Sequence, residues 1–277
     1  MTAGNMLRAV RHRMCNARAV RDGTGPSAIF FGQELLDLTA RDRRWLEETA
    51  AEYRGCPEAW KRLSSLRSPS RATDGLAKSM DVAEGFAAWA LVKHCRPRVL
   101  VELGTQHGIS ARLWKEALKA YVPAHELFLC DLEDRREFIG DDESTFLKGD
   151  ARQTLQQVFE TRRVDLLFND AHPYDLIRWS LLEGLKRGVG VFAFHDVGRH
   201  HPRGPFRAAG ASAGENDKRA HGEEYGTFGT WERHVMAEVF DPSVVREDKV
   251  DANGLRIQFF DSLFGFGVVL RDAPASA

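Results

Sequence analysis

Three acidic residues sit where short apolar runs end, and two glycines bracket the turn after the first of those runs. The segment Arg98-Val-Leu-Val-Glu102-Leu-Gly104-Thr-Gln-His-Gly108-Ile-Ser110 reads as a buried strand ending in an acid, a tight turn and the start of a helix. Glycine suits positions 104 and 108 because the backbone must turn there with positive φ and admit a ligand where a Cβ would collide. The helix that follows carries Ile109, Leu113, Trp114, Ala117, Leu118 and Tyr121 on one face. Its N-terminus therefore faces a crevice, and its free N–H groups suit a ligand carboxylate. Leu127-Phe-Leu-Cys130 ends in Asp131, where a doubly wound fold places the acid that accepts both ribose hydroxyls. A third run ends in Lys148-Gly149-Asp150-Ala151, whose Asp either accepts from an adenine amino group or caps the helix beginning at Ala151.

These positions need a sheet to hold them. From Val99 onward, short apolar runs alternate with helical segments: Val99 to Val101, then Ile109 to Tyr121; Leu127 to Cys130; Phe146-Leu147, then Ala151 to Arg162; Val164 to Phe168, then Tyr174 to Lys186; Val189 to Phe194. Strands buried on both faces read this way, and the alternation implies a parallel sheet wound by right-handed crossovers. Gly198 to Gly229 has no periodicity and reads as a lid or a disordered segment. A short helix follows over Trp231 to Phe240, and Gly254 to Asp261 with Phe266 to Leu270 reads as an antiparallel hairpin joined at Ser262 to Gly265. The expected architecture is a Rossmann-like, doubly wound α/β fold with a seven-stranded sheet, five parallel strands plus a C-terminal antiparallel hairpin.

The first third differs in texture. Thr39 is the expected N-cap of a helix reaching Tyr53, with Trp45, Leu46 and Ala50 at helical spacing and Gly55 as its stop. A second helix after Pro57 carries Trp60, Leu63 and Leu66, Ser68-Pro69-Ser70 begins a linker through Asp74, and a third helix spans Lys78 to His94 before Arg96-Pro97 ends it. The expected division is a basic tail over 1–25, a helical extension over 26–77, the main domain over 78–272 and a short tail over 273–277.

A dinucleotide would use the same fold and crevice, but Gln106 stands where its Gly-x-Gly-x-x-Gly fingerprint needs the second glycine. Glu102 is also unfavourable beside phosphates, whereas the amino end of a methionine-type ligand suits it. With Val164-Asp-Leu-Leu-Phe-Asn-Asp170-Ala-His172-Pro-Tyr174 and Val191-Phe-Ala-Phe-His195-Asp196-Val197 added, the chain resembles the class I S-adenosylmethionine (SAM)-dependent methyltransferases. It is most similar there to the small-molecule group of macrocin-type sugar O-methyltransferases and cephalosporin hydroxylase-like proteins, over about Lys78 to Leu270. The resemblance implies Glu102, Gly104, Gly108, Asp131 and Asp150 as SAM contacts. Thr105, Ser110, Leu132, Ala151 and Asp170 join them as cofactor-site candidates.

Methyl transfer from a sulfonium is an in-line displacement, so the protein must align donor and acceptor and help remove the proton of a hydroxyl acceptor. Relatives hold a divalent metal with an acid after the fourth strand and a pair after the fifth. Asp170 matches the first position, and His195 with Asp196 match the pair, which makes Asp170, His195 and Asp196 the candidate metal ligands, for magnesium or another divalent ion. The imidazole departs from the hard-oxygen pattern magnesium prefers and suits zinc, iron or nickel better. Without a metal, His172 or His195 is the candidate general base, with Asp196 beside them; a histidine that bonds backbone or caps a helix is the plain alternative for either. The expected activity is methyl transfer to a hydroxyl of a sugar or natural product. N- or carboxyl-methylation without metal and a non-catalytic SAM-binding scaffold are the alternatives.

Composition narrows the partners. Lys and Arg number 39 against 40 Asp and Glu, so no long-range field gathers nucleic acid or membranes. The four cysteines form no Cys-x-x-Cys pair, and no secretory or membrane-spanning run stands out. These features lead us to expect a cytoplasmic enzyme acting on a small-molecule acceptor, without nucleic-acid or membrane partners. The Trp and Leu faces of the N-terminal extension suggest a homo-oligomer contact.

Overall fold

The computed structural model describes residues 28–56, 80, 82–198, 231–262 and 265–271. The basic tail, the helix expected after Pro57 with its linker, nearly all of the Gly198 to Gly229 segment, and the C-terminal tail lie outside the described residues. The chain first forms α1 (Ala28–Thr39), α2 (Arg43–Gly55) and α3 (Val82–Cys95). There follow β1 (Val99–Leu103), α4 (Ile109–Tyr121), β2 (Glu126–Asp131), β3 (Thr145–Lys148), α5 (Ala151–Thr161), β4 (Leu166–Asn169), α6 (Tyr174–Lys186) and β5 (Val191–Phe194). After residue 230 come α7 (Trp231–Val239), a 3-10 turn (Pro242–Val245), β6 (Lys249–Ala252), β7 (Leu255–Phe260) and β8 (Phe266–Arg271).

One eight-stranded sheet runs β3-β2-β1-β4-β5-β8-β7-β6. The first five strands pair in parallel, and β8, β7 and β6 add antiparallel. Strand order reverses between β1 and β4, which opens a crevice at their C-terminal ends, where α/β folds bind ligands. Register places Leu103 beside both Cys130 and Asn169, and Asn169 beside Phe194, so the residues that follow these strands share one edge.

Side chains alternate between two cores, as strand pleating requires. Leu100, Leu129, Phe168, Ala193 and Val268 face the layer of α1 to α4. Val101, Cys130, Leu167, Phe192 and Val269 face the layer of α5, α6 and α7. Trp114 is fully buried in the first layer, its ring 5.1 Å from that of Phe168. In the second layer the buried Arg233 guanidinium lies 3.8 Å over the Phe259 ring and donates to Val197 O at 2.7 Å and to Asp248 Oδ1 at 2.8 Å.

Three sequence expectations change. The sheet has eight strands, not seven, because Asn253 and Gly254, both at positive φ, form a two-residue turn that pairs β6 with β7; Asn-Gly is the signature of that hairpin. Thr39 ends α1 and donates its hydroxyl to Leu35 O at 2.6 Å, while Asp42 caps α2 by accepting from Trp45 N at 2.9 Å. The apolar faces of α1 and α2, including Leu35, Leu38, Leu46 and Tyr53, are buried in the same core as α3 and β7 residues, so they need no second copy to cover them.

Among the described residues no helix is long and apolar enough to cross a membrane. Tyr53 is fully buried, with ring centroids 5.8 Å from Phe86 and 5.5 Å from Trp89. We expect Tyr53→Ala to cost about 3 kcal/mol or more, measured by urea denaturation as a shift of one cooperative transition. A separate early transition for the N-terminal helices would show that they fold independently.

Candidate active site

Glu102, near the end of β1, is wholly buried. Its Oε1 accepts from Ser110 Oγ at 2.5 Å, and among the described residues its Oε2 has no hydrogen-bond partner. Burial holds the carboxyl well above the ordinary glutamate value, and the charges of Asp170 and Asp131 push it the same way. Buried Thr105 Oγ1 likewise has no hydrogen-bond partner among the described residues. Buried polar groups are normally satisfied, so these two atoms mark a place built for a polar ligand.

The glycines act through a different neighbour from the one expected. Gly104 (φ 87°) does turn the chain, but a Cβ there would lie 2.6 Å from Asp170 O. The close approach is backbone to backbone, fixed by Gly104 N to Cys130 O and Asp170 N to Leu103 O, each 2.9 Å. Gly108 (φ 80°) opens α4 without a side-chain cap, and a Cβ would meet the Ile139 methyl at 2.8 Å. The first turn of α4 thus starts beside Glu102 with backbone N–H groups available, as helix N-termini have.

Asp131 is oriented by backbone alone. Gln106 N donates to its Oδ2 at 2.8 Å and Leu132 N to its Oδ1 at 2.7 Å. Leu132 is 59% exposed beside it, one of two exposed large hydrophobic side chains among the described residues. Asp150 caps α5, accepting from Arg152 N at 2.8 Å, so the capping reading of this residue is realised; Ala151 is buried as the first helical residue.

The far side of the crevice gathers acids and imidazoles. Asn169 at the end of β4 anchors the loop that follows, donating to Ser180 Oγ at 2.9 Å and accepting from Ala171 N at 3.1 Å. That loop presents Asp170 and His172 toward Asp196. Asp196 sits at φ 60°, an uncommon conformation for a residue other than glycine. One ligand atom each from Asp170, His172 and Asp196 lie within 4.8 Å of one another. Sequence reasoning had named His195, not His172, as the third metal ligand. His195 borders the same acids, its Nδ1 lying 3.1 Å from Asp170 Oδ1 and 3.4 Å from Asp196 Oδ1, and its Nε2 3.3 Å from Glu84 Oε2. With both ring nitrogens against carboxylates, His195 is also poorly placed as a base.

His172 Nδ1 lies 3.5 Å from Glu232 Oε1 and 3.7 Å from Asp196 Oδ2. Burial would lower its basicity, but the hydrogen bond to Glu232 and the charges of Asp196 and Asp170 outweigh it and leave the value raised. At His195 burial is likewise outweighed, by Asp196 and Asp170, and the value stands well above that of ordinary histidine. Burial raises the Glu232 carboxyl despite His172. Glu84 and Glu232 were missed by sequence reasoning. Glu84 does carry a signal, as an acid inside the otherwise apolar run Val82-Ala-Glu-Gly-Phe-Ala-Ala-Trp-Ala-Leu-Val92; Glu232 carries none beyond its place in a first helical turn.

The donor set of Asp170, His172 and Asp196 fits a divalent cation. Four carboxyls, Glu84, Asp170, Asp196 and Glu232, surround two imidazoles. Even with both rings protonated, the cluster is left negative when the acids ionise. A dication offsets that surplus, and a set mixing imidazole with carboxylate accepts transition ions as well as magnesium.

Residues 101–197 match the family model described as a methyltransferase domain. No curated protein sequence matches the chain. Among solved structures, the chain is similar to the Podospora anserina methyltransferase PaMTH1 bound to S-adenosylhomocysteine (SAH), at 16% identity over 82% of this chain and 97% of that one, with a TM-score of 0.51. It is similar to the O-methyltransferase TomG from Streptomyces achromogenes, involved in tomaymycin synthesis and in complex with SAM, at 18% identity, covering 77% and 90%, with a TM-score of 0.51. An O-methyltransferase from Bacillus cereus in complex with SAH aligns at 16% identity, covering 88% and 98%, with a TM-score of 0.50. The likeness to these structures is one of fold. Residues 101–197 thus match a methyltransferase-domain model within a chain that shares the fold of these methyltransferase structures.

Proposed function

We propose that the protein moves the methyl group of SAM to a hydroxyl of a small molecule. The observation that carries this reading is the unpartnered Glu102 Oε2 beside the start of α4, on the same strand edge as the Asp170, His172 and Asp196 cluster. In this reading Glu102 and Thr105 receive the amino group of the cofactor, and the Gly104 to Gly108 turn with Ser110 receives its carboxylate. Asp131 takes the ribose hydroxyls, Leu132 and Ala151 lie along the adenine, and the second Asp150 oxygen accepts from its amino group. Asp170 then stands between cofactor and acceptor. Residues 78–272 form the catalytic domain and 26–77 the extension; the acceptor is a free cytoplasmic metabolite, without a nucleic-acid partner. Any homo-oligomer contact uses the extension outside the faces of α1 and α2 that the described core already covers.

For a hydroxyl acceptor without a metal, His172 is the proton acceptor, beside Glu232 and Asp196. A divalent ion held by Asp170, His172 and Asp196 would supply Lewis acidity that lowers the pKa of the acceptor hydroxyl. Either way the protein's own work is alignment of acceptor and sulfonium. The surplus negative charge supports a second reading, a basic amine acceptor that needs no metal. Chelation separates them: for the hydroxyl reading with a metal, transfer is lost on chelation and restored by Mg2+ or Mn2+.

Asp131→Ala is expected to abolish SAH binding in titration calorimetry, while Asp196→Ala keeps binding and loses methyl transfer. Undiminished SAH affinity in the Asp131 variant would remove the cofactor assignment. Glu102→Gln should behave oppositely in two assays. The folded state holds the Glu102 proton more tightly than the unfolded chain does, so wild-type stability falls as pH rises above the ordinary glutamate value. The non-titrating amide should therefore raise the thermal midpoint, with a gain that grows from acid toward neutral pH. SAH affinity should fall about tenfold or more, as a charge-assisted hydrogen bond is lost.

A further inference from the structure

The buried acid Glu84 lies on α3, outside the matched residues 101–197, and no step of the proposed chemistry uses it. It is wholly buried. Its Oε1 accepts from Ser262 Oγ and, at 2.9 Å, from Gly265 N. Its Oε2 faces His195 Nε2 at 3.3 Å, and the other ring nitrogen of His195 faces Asp170 Oδ1 at 3.1 Å. Gly265, one of the two donors to Oε1, packs against the chain at Gly198: it is at φ 88°, and a Cβ there would lie 2.0 Å from Gly198 N. One carboxylate oxygen is thereby pinned by the segment between β7 and β8, which directs the other at the imidazole. An aromatic ring bonded at both nitrogens has its orientation fixed, and what it holds at its far edge is fixed with it.

We propose that Glu84 is a positioning residue of the active site: it holds the His195 ring, and that ring holds Asp170 in the orientation presented to the crevice. His195 serves as the link in this chain and takes no proton from the acceptor. The functional weight of the proposal rests on the reading of Asp170 as an acceptor-site residue; the hydrogen-bond chain does not.

Glu84→Gln tests it with least disturbance, because the amide keeps a carbonyl oxygen for Ser262 and Gly265 and places an NH2 group where the wild type offers His195 Nε2 a carboxylate oxygen. In full-length protein labelled at histidine nitrogen, the His195 ring resonances, assigned by their loss in His195→Asn, should shift in Glu84→Gln while SAH affinity stays unchanged. Mn2+ affinity of the SAH-bound protein should fall about tenfold or more, the range for lost outer partners of metal ligands. The Glu84→Gln/His195→Asn double variant should lose no more than His195→Asn alone, since the acid acts through the ring. Ring resonances identical to wild type, or losses of Mn2+ affinity that multiply in the double variant, would overturn the proposal. A wild type that binds SAH but no Mn2+ counts against the dication reading alone, and the ring resonances then decide the role of Glu84.

Discussion

The backbone of residue 104 passes so close to the carbonyl of Asp170 that no side chain fits between them. That single approach, locked by backbone hydrogen bonds from Gly104 to the end of β2 and from Asp170 back to β1, sets the spacing of everything around it. It brings the acid of β1, the acid of β2 and the acid after β4 into one crevice. It also starts α4 close enough to Glu102 for Ser110 to reach the carboxylate. A sheet whose order reverses at this point leaves a gap between crossovers on opposite faces, and here the gap is lined by residues whose own hydrogen bonds are incomplete.

The site is costly in electrostatic terms. Glu102 is dehydrated, with one oxygen unmatched among the described residues, and Glu84, Asp196 and Glu232 are each nearly or wholly removed from solvent. Buried carboxyls resist ionisation unless paired, and the two imidazoles beside them are held basic by the same acids. A protein tolerates such an arrangement when its ligands complete the charges. The two apolar layers, with Trp114 in one and the Arg233 and Phe259 stack in the other, hold the surrounding frame rigid while the crevice stays unsatisfied.

Much of the frame was legible in the sequence, and the reason is specific. Val99 to Leu103 and Val191 to Phe194 are buried along their whole length, so their apolar runs could only be interior strands, and the helices between them showed one-sided stripes. The extra edge strand was missed because Lys249 to Ala252 is mostly solvated; the Asn253-Gly254 pair was the readable cue. At the candidate site, Glu102 meets Ser110 and Asp131 meets Leu132 within eight positions in sequence, a range over which a strand-turn-helix pattern is readable. How His172 and His195 are disposed about the two aspartates is not readable, since it depends on side-chain direction after β4 and β5 and on the unusual backbone of Asp196. Glu84 meets His195 across 111 positions, a distance over which spacing carries no information.

Arg233 carries a further implication. It lies three residues past position 230, and its guanidinium clasps the carbonyl of Val197, one residue before Gly198. Entry to and exit from the intervening stretch are therefore stapled to each other and to Phe259 and Asp248 of the sheet end. Positions 197 and 233 are thus held together by contacts of their own, beyond the covalent chain that joins them.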